Sequence, residues 1–313
     1  MNFRLTHAVL ILILSACVAG VSLQAEDSTN GDGPKDAGFE KVAILDNHAL
    51  NEVSGIQSGA GGVFFVHNDG GPPLLHVIDL EGRHLGGIRI RESKNRDWED
   101  ITSIPRDSGR LIVLGDIGDN KSNNKTIRLY FVAEPVRGED GLYPAEIDLQ
   151  HKLKARYPDG PRDAEAMAYD PASDMILILT KRNKIPRIYG LPVETALSRE
   201  KAELEFLGNI PTFTQPTAGE LLTSGKKAFW LSKPTGFDIS PDGKQAAIIT
   251  YRALYLFSRE DGETWTEAFQ KKPVEISGPP GVYDEAVTFG EDGVSVYVTT
   301  ERVPTPLYKL ISP

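Results

Sequence analysis

Cysteine is almost missing from this 313-residue chain, and its single copy, Cys17, lies in Leu14-Ser15-Ala16-Cys17 near the start. One thiol cannot pair within its own chain, so an internal disulfide framework is excluded. A basic excess is missing too: 34 Lys and Arg face 44 Asp and Glu, for a formal charge of −10. No basic run or basic-aromatic block appears, and nucleic-acid binding, which rests on cations neutralising phosphates, is not expected. Long apolar runs are absent beyond Ala8 to Ala16, which falls short of the roughly 20 residues a membrane span needs. Absent as well are GxxxxGK[ST], GxGxxG, HExxH and GxSxG, so no nucleotide or flavin cofactor is expected, and zinc-peptidase or serine-hydrolase chemistry has no local signature.

What is present begins with a leader. Residues 1–25 have a short basic start, an apolar core and then small residues, the pattern of an export signal. The tetrapeptide ending at Cys17 resembles a bacterial lipobox, in which the cysteine is acylated and becomes the mature N-terminus. Cleavage is therefore expected before Cys17, with lipid anchoring there. Cleavage after Ala25 is the alternative and would give a periplasmic or extracellular chain. Residues 26–38, EDSTNGDGPKDAG, read as a flexible tether, and 39–313 as one domain. Arg4 is the one charged residue of the leader, so the remainder is more acidic still. An acidic surface favours cations or cationic partners, and simple solubility is its plainer reading.

With 30 glycines and 21 prolines, the chain is rich in turns. Acidic segments recur before apolar runs: NEVSGI (51–56), NRDWEDITSI (95–104), DAEAMA (163–168) and YDEAVT (283–288). Each is followed by a Gly/Asp/Ser turn and a longer β-branched run, as in VFFVHND, RLIVLGDIGD and MILILTKR; FDISPDG with KQAAIITYR and AVTFGEDG with VSVYVTTER continue the plan. Third strands are expected at LLHVIDLEG, TIRLYFVAEP, RIYGLPVE, ALYLFSRE and PLYKLISP, and fourth strands at HLGGIRIR, EIDLQHKL, ELEFLGNI and PVEISG. Repeated units of about four strands predict an all-β fold, a β-propeller of four-stranded antiparallel blades. Five blades are expected, or six if 221–233 holds further strands, and FEKVAILD (39–46) is placed to complete the last blade and close the ring. A β-sandwich of similar strand content is the alternative architecture, which four related repeat starts disfavour.

In a propeller the start of each inner strand meets the end of the second strand on one face. The acids at the strand heads would then ring one channel mouth. Candidate ligand-binding residues are Glu52, Glu99, Asp100, Glu165, Lys181, Arg182, Arg252, Glu285, Glu301 and Arg302; Phe237 occupies the aligned glutamate position in the fourth unit. Asp69, Asp116, Asp119, Glu99 and Glu165 are candidates for a hard cation, calcium above all. Against this stands a structural reading in which each carboxylate accepts hydrogen bonds from loop N–H groups or pairs with Arg182, Arg252 or Arg302, pinning neighbouring blades together. If Glu52, Glu99, Glu165 and Glu285 were all so paired, a purely structural interaction module would be favoured. GDIGDNKSNN (115–124) offers closely spaced oxygens without the EF-hand order, and an Asx-rich turn is its plainer reading. His67 is better read as a turn residue with a hydrogen-bond role than as a base, and Trp98, Trp230 and Trp265 as packing rather than sugar platforms.

With DWEDI, GDIGDN, RYPDGPRDAEAM, SPDG and DEAVTF in view, the chain resembles a group of exported bacterial β-propeller proteins over most of 39–313. More remotely it is similar to phytase-like propellers, including those with esterase-like activity. That resemblance implies acidic channel mouths, calcium and phosphate esters. The leading expectation is an exported, lipid-anchored propeller of the cell envelope that takes a small or polymeric ligand at its acidic mouth, with calcium as an optional mediator. It would touch the membrane through its anchor alone and act as a monomer. One alternative is a calcium-dependent phosphoric-ester hydrolase with Lys181, Arg182, Arg252 or Arg302 balancing charge; the other is an envelope interaction module.

Overall fold

A computed structural model describes residues 38–279, 284–301 and 303–311. The leader, Cys17, nearly all of the expected tether and Arg302 lie outside the described residues.

The chain opens with β1 (Phe39–Ile44) and then winds through five small sheets. Blade 1 is β2 (Val53–Gly59), β3 (Val63–Asn68), β4 (Leu74–Asp79) and β5 (His84–Ile90). Blade 2 is β6 (Trp98–Ile104), β7 (Leu111–Asp116), β8 (Ile127–Ala133) and, after the two-residue β9 (Glu146–Ile147), β10 (His151–Arg156). Blade 3 is β11 (Ala164–Asp170), β12 (Met175–Thr180), β13 (Arg187–Pro192) and, after α1 (Val193–Ser198) and β14 (Lys201–Glu203), β15 (Glu205–Asn209). An insertion then carries α2 (Ala218–Ser224) and a 3₁₀ helix, Gly225–Ser232. Blade 4 is β16 (Pro234–Ile239), β17 (Gln245–Thr250), β18 (Ala253–Ser258) and, after α3 (Trp265–Ala268), β19 (Val274–Ser277). Blade 5 is β20 (Asp284–Phe289), β21 (Val296–Thr300) and β22 (Pro306–Leu310), completed by β1.

Neighbouring strands within each blade are antiparallel. Inner strands β2, β6, β11, β16 and β20 touch in that order, and β20 touches β2, so the ring closes as a five-bladed propeller. The expected closure is present: β1 pairs with β22 from Phe39 opposite Leu310 to Ile44 opposite Pro306. Two expectations change, and one edge strand is added. Residues 221–233 form helical turns instead of strands, with a Thr217–Glu220 capping box starting α2, and this settles the count at five blades. The segment EIDLQHKL is divided: β9 joins the outer edge of blade 1 in parallel, and the fourth strand of blade 2 is β10. β14 extends blade 2 in parallel, so its outer edge is supplied by the connection leading to blade 3's last strand.

Side-chain alternation explains how the blades hold together. Successive residues of a strand face opposite sides, so each blade feeds two interfaces. Phe65 packs between blades 1 and 2 and its neighbour Phe64 between blades 5 and 1; Ile178 joins the layer of blades 2 and 3 while Leu179 joins that of blades 3 and 4. A fifth apolar layer, with Ala247, Leu254, Val287 and Val298, fills the gap between blades 4 and 5. Fully burying each large apolar side chain contributes about 1.5–3 kcal/mol.

At the axis the inner strands have no further strand to pair with, and side chains take over their N–H groups. Asp100, wholly buried on β6, accepts from Ile101 N through Oδ1 at 2.8 Å and, through Oδ2, from Met167 N on β11 at 2.7 Å and Phe237 N on β16 at 3.1 Å. Thr102 Oγ1 accepts from Tyr169 N at 3.0 Å. Asp238 Oδ2 accepts from Phe289 N at 2.8 Å and from the Thr288 hydroxyl at 3.0 Å, and Thr288 Oγ1 accepts from Ser58 N at 3.2 Å. The approach is tight enough that a Cβ on Gly236 would lie 2.8 Å from Glu285 O. Asp100→Ala, which strips three N–H groups of their acceptor, is expected to lower unfolding free energy by about 3 kcal/mol in urea titrations. Thr102→Ala, which strips one, should cost about 1 kcal/mol.

Candidate functional site

All five inner strands share one irregularity at the same end. In each, two consecutive residues oppose a single partner on the second strand: between Val53 and Gly55, Trp98 and Asp100, Ala164 and Ala166, Pro234 and Gly236, and Asp284 and Ala286. The extra residue of each β-bulge is Ser54, Glu99, Glu165, Thr235 or Glu285. Bulges re-aim side chains, and here they build a ring at one channel mouth.

This register corrects the sequence alignment. Glu52 is not the counterpart of Glu99, Glu165 and Glu285; Ser54 is, and Thr235, not Phe237, fills the position in blade 4. Phe237 is core. Glu52 lies two residues before its bulge, level with Asp97, Asp163 and Lys233, and is exposed. A usable signal was in the sequence: the bulge residue precedes a small residue and then an apolar one in Ser54-Gly55-Ile56, Glu165-Ala166-Met167, Thr235-Gly236-Phe237 and Glu285-Ala286-Val287. Asp100 stands at the small position in blade 2, and the structure removes it from the mouth, because its oxygens are committed to backbone N–H groups in the channel.

Glu99, Glu165 and Glu285 are 6%, 6% and 4% exposed. Lys181, from the end of β12, reaches into them: its Nζ donates to Glu165 Oε2 and to Tyr251 OH, the latter at 3.2 Å. Tyr251 OH donates to Glu285 Oε1, and Ser54 Oγ to Glu99 Oε2 at 3.2 Å. Each glutamate thus has one engaged oxygen, while Glu99 Oε1, Glu165 Oε1 and Glu285 Oε2 have no hydrogen-bond donor among the described residues. Burial and mutual repulsion push the Glu99 and Glu285 carboxyls well above the usual range. Burial lifts Glu165 to about 7 despite Lys181. Burial alone would lower Lys181, but the carboxylates of Glu165 and Glu285 outweigh it and hold the ammonium charged. Among the described residues, three carboxyl groups therefore share one resident cation.

The described arginines of the mouth pair with other carboxylates. Arg96 Nε lies 3.2 Å from Asp116 Oδ1 and Arg128 Nη1 3.1 Å from Oδ2. Arg182 Nε lies 2.5 Å from Asp163 Oδ2, its Nη2 bonds Asn120, and its guanidinium stacks on Trp230 at 4.6 Å. Arg252 Nη2 bonds Glu220 of α2 at 2.8 Å and so anchors the insertion. Among the described residues none of Glu52, Glu99, Glu165 and Glu285 pairs with an arginine, the condition that would have favoured a purely structural mouth. Glu301 stands on the exposed rim, where burial and Asp69 raise its carboxyl.

The expected cation ligands do not form one cage. Calcium takes six to eight oxygens, whereas Asp116 is held by two arginines, Glu165 by Lys181, and Asp119 Oδ2 by Asn124 N at 2.6 Å. Burial and Glu52 raise the Asp69 carboxyl, and its backbone carbonyl takes Trp98 N at 2.8 Å. No set of three or more His, Cys, Asp or Glu residues converges in metal-site geometry among the described residues. The GDIGDN loop is a scaffold: Asp119 N donates to Asp163 Oδ1 at 2.7 Å, and Gly118 leaves room for the mouth, since a Cβ there would lie 2.2 Å from Glu99 Oε1. His67 is fully buried edge-on against Trp98, its ring centroid 5.6 Å away, and burial holds its pKa at about 4. Trp98 and Trp265 are packing residues; Trp230 is at the mouth.

Because the folded-state pKa of Glu285 is raised, the native state holds a proton that the unfolded chain releases above its ordinary carboxyl range. That contribution to stability is present at low pH and lost as pH rises toward the raised value. Glu285→Gln, which keeps an acceptor for Tyr251, is therefore expected to raise Tm at pH 8 and change it little at pH 5, read by melting at both.

No protein-family model matches the chain, and no curated protein does. Among solved structures it is similar to one titled "Crystal structure of Nidogen/Laminin Complex", at 12% identity and a TM-score of 0.41, over 79% of this chain and 72% of that one. A likeness of that size carries no argument. The assignment as a five-bladed β-propeller rests on the sheet order and the closed ring of inner strands.

Proposed function

We propose that this chain is a binding module whose channel mouth seats a cationic group of a small or polymeric ligand. The observation that carries the reading is the set of three buried glutamates, raised on equivalent bulges around Lys181, each with one oxygen that has no donor among the described residues. An entering cation supplies the charge these carboxyls need in order to ionise, so binding drives protons off. Organic ammonium or guanidinium groups suit the mouth better than calcium, because they bond to separated oxygens and need no cage.

Cadaverine is expected to raise Tm by mass action, adding about 2.7 kcal/mol to the unfolding free energy at hundredfold excess over Kd. Calorimetry in buffers of different ionisation enthalpy should show proton release, with tighter binding at pH 8 than at pH 6. The Glu99→Gln, Glu285→Gln double variant should bind more weakly. Calcium in the same titration should shift Tm less. Absence of any shift with millimolar cadaverine defeats the reading.

Export and lipid anchoring belong to the same proposal, supported by residues 1–25 and the Leu14–Cys17 tetrapeptide. Two acyl signals anchor a chain stably. In a bacterial host, Cys17→Ser should abolish fatty-acid labelling and move the protein from the membrane fraction to the soluble one.

A further inference from the structure

A cavity of roughly 820 Å³ adjoins the glutamate ring on one side, and its lining differs in sign from the ring. Lys181 and Tyr251, which hold Glu165 and Glu285, line it on one side, and Arg182, Lys227, Trp230 and Leu231 are among its other lining residues. The insertion between blades 3 and 4 supplies Lys227, Trp230 and Leu231, and it is fastened at several points. Lys233 Nζ bonds Asn183 O at 2.6 Å and Lys184 O at 3.0 Å, Arg252 holds Glu220, and Ser232 Oγ donates to Thr214 O. Arg182 is fixed by Asp163 and by its stack on Trp230. The exposed Lys227 makes no ion pair with a described residue.

A ligand with its cation among the glutamates therefore has a cationic wall with aromatic and aliphatic surface beside it. A simple amine leaves that wall unanswered. We propose, resting on the cation-seat reading, that the ligand is a zwitterion of the amino-acid or short-peptide class: its ammonium meets Glu99, Glu165 and Glu285, its carboxylate meets Lys227 and Arg182, and its apolar part lies against Trp230 and Leu231. The chemistry is reciprocal. Buried carboxylates take the ammonium through charge-assisted bonds, and a guanidinium and an ammonium take the carboxylate.

Lysine and cadaverine differ by one carboxylate, and comparing them isolates the wall from the ring. By calorimetry at pH 8, L-lysine is expected to bind about tenfold more tightly than cadaverine, the size of one charge-assisted contact. Lys227→Ala should erase most of that advantage while leaving cadaverine affinity within about twofold, since the replaced side chain is exposed and remote from the core. If cadaverine binds as tightly as lysine, or Lys227→Ala weakens both alike, the zwitterion proposal fails and the cation seat stands. If neither ligand binds, both fall together.

Discussion

The inner edges of five strands converge on an axis too narrow for a further strand, and their N–H groups must find acceptors there. Orphaned backbone donors in a buried channel cost about 1–3 kcal/mol each. The chain meets this with side chains, above all Asp100, which spans three blades, and Asp238, which binds the next inner strand. Both sit fully enclosed, and burial lifts Asp238 to about 7 and Asp100 well above the carboxylate range. The small residues Gly55, Ala166, Gly236 and Ala286 at the level of Asp100 follow from the same crowding.

Crowding also governs the mouth. Five bulges at equivalent places widen the strand ends and turn one extra side chain inward from each blade. Three of these are glutamates, drawn together by geometry against their charges. Asp116 and Asp163 have guanidinium partners, whereas among the described residues the three glutamates have one lysine between them. The carboxylates of the mouth thus divide by their partners, a division that residue type alone does not reveal.

The five-bladed plan was legible because it is repetitive: strand, turn and β-branched run recur, and the alternation that sends Phe64 and Phe65 to different interfaces is written in each strand. Closure by residues 39–46 was legible for the same reason, as the last unit lacks its outer strand. The site was half legible. Glu99, Glu165, Glu285 and Lys181 come together as expected, while Glu52 and Asp100 do not join them. Blade 1 carries Ser54 where its neighbours carry a glutamate, so matching acid to acid picked Glu52, two residues too early. The helical insertion left a sixth blade open because its apolar residues, including Leu222 and Phe229, are exposed rather than packed, and periodicity speaks only for buried faces.

By itself the sequence determined the repeat, the acidity and the residue types available at each strand head, since strand propensity and turn chemistry are local. Tertiary structure alone decided which acids meet arginines and which stay short of partners, because that depends on contacts between blades dozens of residues apart. It decided equally that a cationic wall adjoins the acidic ring: Lys227 lines a cavity together with Tyr251, whose hydroxyl bonds Glu285, and no local rule relates them.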